Sequence, residues 1–234
     1  MTQRLPDYAE GGRIYRDRVD GGSALADQLE QYRGQDVLVL GVPRCGVPVA
    51  AELARRLDAE LDIVVARKLG APGYPELAIG AVTANGGRFL NIDVIRELQI
   101  SDRYVEAVSE EQREDARRRE ERFRGGQPEP RIAGRTVIVV DDGLATGATM
   151  RAAVRSVRRR KPARLIAAVP VGSQQACAAL REDADEVVCL FAPADFWAVG
   201  LYYQNFSPTE DAEVERLLQE SYTQRHAAVT REGE

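Results

Sequence analysis

Residues 137–150, VIVVDDGLATGATM, decide the fold of this chain. The first four residues are apolar, which predicts a buried strand, and two adjacent aspartates, Asp141 and Asp142, follow directly. The glycine-bounded loop 143–147 then leads into residues that favour a helix. Ligands of open α/β sheets bind at the carboxyl ends of the strands, so this stretch predicts a ligand-binding sheet edge that carries two carboxylates.

The loop and the start of the helix are suited to an anion. Small or hydroxyl-bearing residues leave backbone N–H groups accessible at the positive end of the helix. Those residues are Ala145, Thr146, Gly147, Ala148 and Thr149. Since carboxylates accept hydrogen bonds from hydroxyls, the predicted ligand carries a polyol and a phosphate side by side. An ordinary turn with two capping aspartates is the plainer alternative.

Three other folds with a similar unit fit less well. A Walker-type loop needs a lysine that residues 143–149 lack. A dinucleotide-binding loop needs Gly-x-Gly-x-x-Gly after a strand, and neither this loop nor GVPRCG at 41–46 has that spacing. A receiver domain needs an aspartate on a later strand, and RLIAAVPV at 164–171 has none. These classes are therefore set aside.

Outward from this stretch, short apolar runs alternate with helical patterns. DVLVLGV at 36–42 predicts a strand, VAAELARRL at 49–57 a helix, and ELDIVVARK at 60–68 a second strand that ends at Lys68. The alternation predicts an α/β fold with a Rossmann-like, doubly wound, mostly parallel sheet of about five strands. We expect one domain over 1–234, with its core at about 22–192 and a small hood from 1–21 and 193–234.

Two segments interrupt this alternation. Asn85-Gly86-Gly87 between apolar runs predicts a hairpin. Residues 101–124 form a charged insertion, in which the six acidic residues between 110 and 124 balance six arginines. With Ser101 as N-cap, the segment predicts a long exposed helix with i,i+4 ion pairs. A mobile cover over a site is the alternative.

Composition excludes several chemistries. The 234 residues include one histidine, His226, so neither a Ser-His-Asp system nor a histidine-rich zinc site is expected. The three scattered cysteines and the absence of any 20-residue apolar run predict a cytoplasmic protein without a membrane span. The net charge of -5 makes nucleic acid an unlikely partner overall. Only two of the 32 basic residues are lysines, Lys68 and Lys161.

VIVVDDGLATGAT resembles the signature of type I phosphoribosyltransferases of a bacterial type, enzymes that bind 5-phosphoribosyl-1-pyrophosphate (PRPP). The resemblance implies that Asp141 and Asp142 hold the ribose hydroxyls. It also implies that the phosphate loop binds PRPP, through Gly143, Ala145, Thr146, Gly147, Ala148 and Thr149.

The same resemblance places a pyrophosphate loop in GVPRCGVP, at 41–48. It implies that Arg44, Cys45 and Gly46 bind PRPP there, with a cis peptide at Arg44–Cys45 or nearby. Arg67 and Lys68, at the end of the second predicted strand, supply further cations. Asp141, Asp142 and Lys68 are the expected catalytic residues.

Mg2+ is the implied cofactor, held through PRPP and water near the two aspartates, with no direct protein ligand. The segment DFWAVGLYYQNF at 195–206 resembles the base-covering hood of purine-type enzymes. It implies that Phe196 or Trp197 stacks on the base and that the backbone at Val199 reads its edge. The alternative is that these aromatics cover the core against the terminal helix.

One departure limits the acceptor. The 6-oxopurine enzymes have an aspartate where this chain has Ala145, which disfavours guanine or hypoxanthine. Any general acid must then come from elsewhere. The candidates are Glu76, Glu106, Glu110 and Glu111.

The sequence therefore predicts a glycosyltransferase of the pentosyl class. It would transfer 5-phosphoribosyl from PRPP to a purine- or pyrimidine-like base, releasing pyrophosphate in nucleotide salvage, and a homodimer is the expected assembly. One alternative is a PRPP- or nucleotide-sensing regulator without catalysis, which would bind RNA, DNA or another protein through the basic helix end 155–161. Hydrolysis or phosphorolysis of a ribose phosphate at the same site is a third possibility.

Overall fold

The computed structural model describes residues 14–232, with side chains up to residue 225. The helices are α1 (Arg18–Gln28), α2 (Gly46–Leu57), α3 (Ile92–Glu97), α4 (Asp102–Arg124), α5 (Ala148–Arg159), α6 (Gln174–Leu180) and α7 (Asp211–Glu232). The strands are β1 (Val37–Gly41), β2 (Glu60–Ile63), β3 (Ala66–Ala71), β4 (Tyr74–Thr83), β5 (Arg88–Leu90), β6 (Thr136–Val140), β7 (Arg164–Val171) and β8 (Glu186–Phe191). Single 3-10 turns lie at Glu30–Tyr32 and Val199–Tyr202.

Five strands form a parallel sheet in the order β2-β1-β6-β7-β8. The continuous apolar runs of β1 and β6 are buried because α1, α2 and α7 cover one face of the sheet and α5 and α6 cover the other. The prediction of a doubly wound parallel sheet is confirmed. Gly41 pairs with Val140 at the ends of neighbouring strands, which brings the loops after β1 and β6 side by side.

The second predicted strand, at 60–68, is wrong in its extent. β2 ends at Ile63, and β3 belongs to a separate antiparallel sheet in the order β3-β4-β5. The intervening residue Val65 donates its N–H to the buried carboxylate of Glu120, at 3.1 Å, instead of continuing the ladder. Lys68 therefore lies within an antiparallel strand and not at the end of a core strand. The hairpin between β4 and β5 is confirmed.

Helix α4 confirms the long charged helix but not its full exposure. Ser101 Oγ caps it by accepting from the N–H of Tyr104 at 3.3 Å, and ion pairs such as Asp115–Arg119, at 3.0 Å, run along it. Its other face packs against β3, β4 and α7, where Ala116 and Phe123 are buried. The segment is thus a fixed layer of the protein.

The two ends of the described chain meet beside the sheet. Tyr15 donates its N–H to the carbonyl of Tyr202 at 2.9 Å, and Val214 of α7 is buried against the core. Residues 1–13 of the predicted hood and the side chain of His226 lie outside the described residues. Among the helices described, none is both long and apolar enough to cross a membrane.

Candidate functional site

The loops after β1 and β6 touch at Gly46. A Cβ atom on this residue would come within 2.8 Å of the Val140 carbonyl oxygen and 2.9 Å of Asp141 Cα, so the contact requires glycine. The Pro43–Arg44 peptide is cis, one bond before the position named from the sequence. The loop at 42–45 thus lies directly against the acidic pair.

The amides of this first loop are not equivalent. Gly46 donates its N–H to the Val42 carbonyl at 3.0 Å, so its amide is already occupied. The N–H groups of Arg44 and Cys45 donate to no acceptor among residues 14–232. Burial, with the charge of Asp142, raises the pKa of the Cys45 thiol, which favours a neutral side chain. Two backbone donors and the Arg44 charge therefore face the site.

The acidic pair has a fixed internal geometry. Asp142 is buried, Asp141 is half-buried, and the Asp142 N–H donates to Asp141 Oδ1 at 2.9 Å. Arg18 Nε donates to Asp142 Oδ2 at 3.0 Å, and the hydroxyl of Tyr203 donates to the Asp142 carbonyl at 2.6 Å. Each aspartate keeps one carboxylate oxygen without a donor from the described chain.

Burial has a direct electrostatic effect on this pair. It raises the pKa of Asp141 well above its usual value, and the neighbouring charge of Asp142 raises it further. Burial also raises the pKa of Asp142, while the Arg18 guanidinium opposes that rise. Burial therefore favours the protonated form of Asp141, while Arg18 favours the ionised form of Asp142, which accepts hydrogen bonds.

The loop after β6 presents a row of unused backbone amides. The N–H groups of residues 145–149 donate to no acceptor in the described chain, and the first helical bond is from Arg151 N–H to the Gly147 carbonyl. Gly147 has a left-handed φ of 78°, which turns the chain into α5. Ser173 Oγ holds the loop by donating to the Ala145 carbonyl at 2.8 Å. This geometry suits an anion at the helix start.

An open cleft of about 570 Å³ connects the second sheet with this loop. Arg67, Lys68 and Thr149 all line it, so the tertiary structure brings Lys68 to the phosphate loop from another sheet. Lys68 is exposed and has no carboxylate within 4.0 Å among the residues described. Of the four candidate acids, Glu76 lines the cleft and Glu106, Glu110 and Glu111 do not.

Arg67 in the cleft and Arg44 in the loop after β1 are each paired to a carboxylate on a helix. Arg67 Nε lies 2.7 Å from Asp115 of α4, and Arg44 Nη1 lies 3.5 Å from Asp211 of α7. Burial lowers the pKa of Arg67, and the charges of Arg119 and Arg44 lower it further against the opposing charge of Asp115, so like charges repel at Arg67. A polyanion would relieve that repulsion.

The predicted base-binding residues divide into different roles. Phe196 stacks on Tyr202, with ring centroids 5.7 Å apart, so one face of its ring is occupied by the core. Trp197 is 79% exposed. Val199 lies over Gly143, where an added Cβ would come within 2.4 Å of its side chain. The hood therefore contacts the loop that follows the acidic pair. Of the two predicted stacking residues, Trp197 is the one whose ring is exposed.

Sequence reasoning missed the residues that hold the site from a distance. Arg18 and Asp211 belong to no motif, and Tyr203 and Asp115, which lie within the hood segment and the charged helix, were given no role at the site. The basic end of α5, which the regulator alternative would use, is paired with acidic residues of this same protein. Arg155 and Arg158 pair with Asp183 and Asp185 at 2.8 and 2.7 Å, so much of that charge is neutralised.

This chain is similar to known proteins over most of its length. The profile of the phosphoribosyl transferase domain matches residues 13–205. The Mycobacterium tuberculosis protein Rv0571c, which carries a provisional phosphoribosyl transferase name, is 45% identical over 210 residues, covering 90% of this chain and 47% of that protein. The same figures hold for MT0597 of another strain of the species. This chain thus spans about half the length of the curated relatives that it matches.

One solved structure shares the fold of this chain over nearly the whole length of both. The crystal structure of TT1426 from Thermus thermophilus has a TM-score of 0.75 and 45% identity, covering 88% of this chain and 98% of that one. A purine phosphoribosyltransferase of Pyrococcus horikoshii is more distant, with a TM-score of 0.43 and 18% identity over 75% of this chain and 83% of that one. No substrate is carried over from it.

Proposed function

Because the chain belongs to the phosphoribosyl transferase domain family, we propose that it transfers 5-phosphoribosyl from PRPP to a nitrogenous base and releases pyrophosphate. One observation carries the proposal. The adjacent carboxylates of Asp141 and Asp142 stand directly before five consecutive unused amides, at 145–149. A ribose diol and its 5-phosphate have this same order of donors and anion.

Each part of the site has a role in this reaction. The open oxygens of Asp141 and Asp142 accept hydrogen bonds from the ribose hydroxyls, and the amides at 145–149 hold the 5-phosphate. Arg67 and Lys68 face the pyrophosphate from the cleft, and Arg44 faces it from the loop after β1. As the bond to pyrophosphate breaks, positive charge develops on the ribosyl group and negative charge on the leaving group, and the fixed charges stabilise both.

Mg2+ is the proposed cofactor. Within the described residues, no three His, Cys, Asp or Glu side chains form a metal cluster, so a cage made by this part of the chain alone does not fit. A hydrated Mg2+ carried by PRPP does fit, because Asp141 and Asp142 can accept hydrogen bonds from its waters. When bound, the ion neutralises charge on the departing pyrophosphate.

The acceptor is proposed as a purine- or pyrimidine-like base other than guanine or hypoxanthine, given Ala145. The exposed indole of Trp197 is available to stack on it. Glu76 is the proposed proton-transfer residue, because it lines the cleft with Lys68 and Thr149. It would accept the proton that the acceptor nitrogen loses as it bonds to the ribosyl group, and it would return that proton to the base in the reverse reaction. A homodimer and a cytoplasmic location remain predictions.

Pyrophosphate release from PRPP and Mg2+ across a panel of bases tests this function. We expect release with at least one base, and a loss of about 100-fold or more in Asp141→Asn/Asp142→Asn, since the ribose anchors lose their charge. Asp93→Asn/Asp102→Asn changes two exposed aspartates at the starts of α3 and α4 and should leave release unchanged.

Two outcomes would contradict the proposal. If PRPP binds but no base yields pyrophosphate above the Asp141→Asn/Asp142→Asn level, the protein is a PRPP sensor. If pyrophosphate release needs no base, the reaction is hydrolysis.

A further inference from the structure

Arg18 is a buried cation that the proposed reaction has not yet used. It is the first residue of α1, and its side chain is 8% exposed. Nε donates to Asp142 Oδ2 at 3.0 Å, Nη1 donates to the Ser207 carbonyl at 2.6 Å, and the guanidinium lies 4.2 Å from the centre of the Phe206 ring. A buried charge with three oriented contacts holds a defined position.

The segment that carries Arg18 is itself fastened. Gln204 donates its N–H to the Tyr15 carbonyl at 2.8 Å, and Asn205 donates its N–H to the Arg16 carbonyl at 2.9 Å. The stretch before α1 and the stretch before α7 are thus joined by an isolated parallel β-bridge, between Tyr15 and Tyr203. Arg18 extends from this joint to the carboxylate at the end of β6.

The contacts around Asp142 leave one oxygen available on each aspartate. Arg18 occupies Asp142 Oδ2, the Asp142 N–H occupies Asp141 Oδ1, and Tyr203 fixes the Asp142 carbonyl. The two carboxyl groups also lie within hydrogen-bonding distance of each other. Apart from that contact, Asp142 Oδ1 and Asp141 Oδ2 accept from no N–H or hydroxyl of the described residues. A vicinal diol supplies two donors, which matches this pair of open acceptors.

Four ionisable groups of the described residues surround Asp142. Arg18 of α1 is the cation, and the carboxyl of Asp141 hydrogen-bonds to Asp142 and so opposes the rise of its pKa. The thiol of Cys45 and the phenol of Tyr203 lie close by. Burial and Asp142 raise the pKa of both Cys45 and Tyr203, so neither carries charge near neutral pH. Arg18 alone therefore compensates the two carboxylates from the described protein side.

From these contacts we infer that Arg18 is a positioning residue for the ribose of PRPP, which keeps Asp142 ionised and turned so that one oxygen of each aspartate faces the diol. The inference rests on the proposed function. It makes the segment before α1 part of the substrate site, although that segment lies 124 positions from Asp142 in sequence.

PRPP binding, followed by calorimetry and by the fluorescence of Trp197 at fixed Mg2+ between about pH 6 and pH 9, tests the inference. We expect Arg18→Met to weaken PRPP binding at pH 7 by about 10- to 100-fold, the range found when a partner that orients a metal ligand is removed. The loss should shrink as the pH rises, because Asp142 without Arg18 ionises only at higher pH. Pyrophosphate, which has no ribose, should bind both proteins within about 2-fold.

Two further variants guard the result. Arg18→Lys keeps the charge, so it should restore the wild-type pH profile while binding PRPP a few-fold more weakly than wild type. Arg16→Met removes a side chain that is 76% exposed and pairs only with Asp20, and it should change nothing. Thermal unfolding of each variant establishes that it is folded, and if Arg18→Met does not fold, Arg18→Lys carries the test.

The outcomes separate the two claims. If wild type binds no PRPP, the proposed function and this inference both fail. If wild type binds PRPP but Arg18→Met binds it equally, or loses PRPP and pyrophosphate alike with no pH dependence, Arg18 is a structural residue and the inference is overturned.

Discussion

The ligand edge of the parallel sheet and the helix α4 both concentrate charge, but they hold it in different ways. At the edge, Asp141 and Asp142 end a buried strand, and their partners are backbone amides and the buried Arg18. Along α4, most charges neutralise one another in water, as Glu114 and Arg117 do at 3.3 Å. Burial, more than the number of charges, decides which of them shape the structure.

At the carboxyl end of α4, the exposed ion pairs of the helix give way to a buried charged cluster. Arg124 is largely buried and donates to both carboxylate oxygens of Asp62, at 3.1 and 3.0 Å, and it also reaches Glu120. Glu120 in turn accepts from the N–H of Val65, between β2 and β3. This buried cluster fixes the turn that delivers β3, and therefore Lys68, to the cleft.

Removing the cation of that cluster should cause the largest loss of stability among the changes considered in this section. Arg124→Met leaves the carboxylates of Asp62 and Glu120 buried without their partner, so we expect the free energy of unfolding at pH 7 to fall by about 3–5 kcal/mol. Arg117→Met, on the exposed face of α4, should lower it by less than about 0.5 kcal/mol. Urea denaturation measures both. Equal losses would show that burial does not distinguish the two faces of the helix.

The pH dependence of stability should show the same cluster. Burial raises the pKa of Asp62 from 3.8 to about 6, against the opposing charge of Arg124. Between these values the native state binds more protons at Asp62 than the unfolded chain does, so this group's contribution to stability falls as the pH rises to about 6.

Asp62→Asn removes that titration. We expect its stability relative to wild type to rise by up to about 3 kcal/mol between pH 4 and pH 7, as urea denaturation at several pH values would measure. Asp93→Asn, at an exposed position, should run parallel to wild type. A parallel curve for Asp62→Asn would contradict the assignment.

The smallest expected effect tests the ligand edge. Gly46→Ala places a methyl group against the Val140 carbonyl and Asp141, so we expect a loss of about 1–3 kcal/mol in stability and about 10-fold in PRPP affinity. Cys45→Ala removes an atom next to the same loop and should change affinity by less than about 3-fold, because the amide at that position remains. Calorimetry with PRPP decides, and unchanged affinity in Gly46→Ala would mean that the loop contact does not position the acidic pair.

The strand–loop–helix unit at 137–150 could be predicted because all its information is local. Apolar residues in succession, then carboxylates, then small residues specify a buried strand and an open loop wherever the chain folds into a sheet. The position of Lys68 could not be predicted in this way. Val64 and Val65 are as apolar as the strand before them, and the group that ends the strand, Glu120, lies 55 positions later.

The partner of Asp142 could not be predicted from the sequence either. Only two of the 32 basic residues are lysines, so composition gave no reason to single out one arginine, Arg18, in the segment before α1. The aromatic hood illustrates the same limit, because Phe196 and Trp197 are adjacent in sequence and yet one stacks on Tyr202 while the other is exposed. Which of two neighbours is buried depends on residues that approach from elsewhere.

The sequence alone determined the parallel sheet, its ligand edge and the family resemblance, because these follow from patterns within about 15 neighbouring residues. The tertiary structure brought the exposed Lys68 to the cleft that Thr149 lines. It also decided which charges are buried and with which partners: Asp142 with Arg18, and Arg124 with Asp62 and Glu120. Burial removes water from these groups and makes a distant partner necessary, and only the folded chain brings that partner within hydrogen-bonding distance.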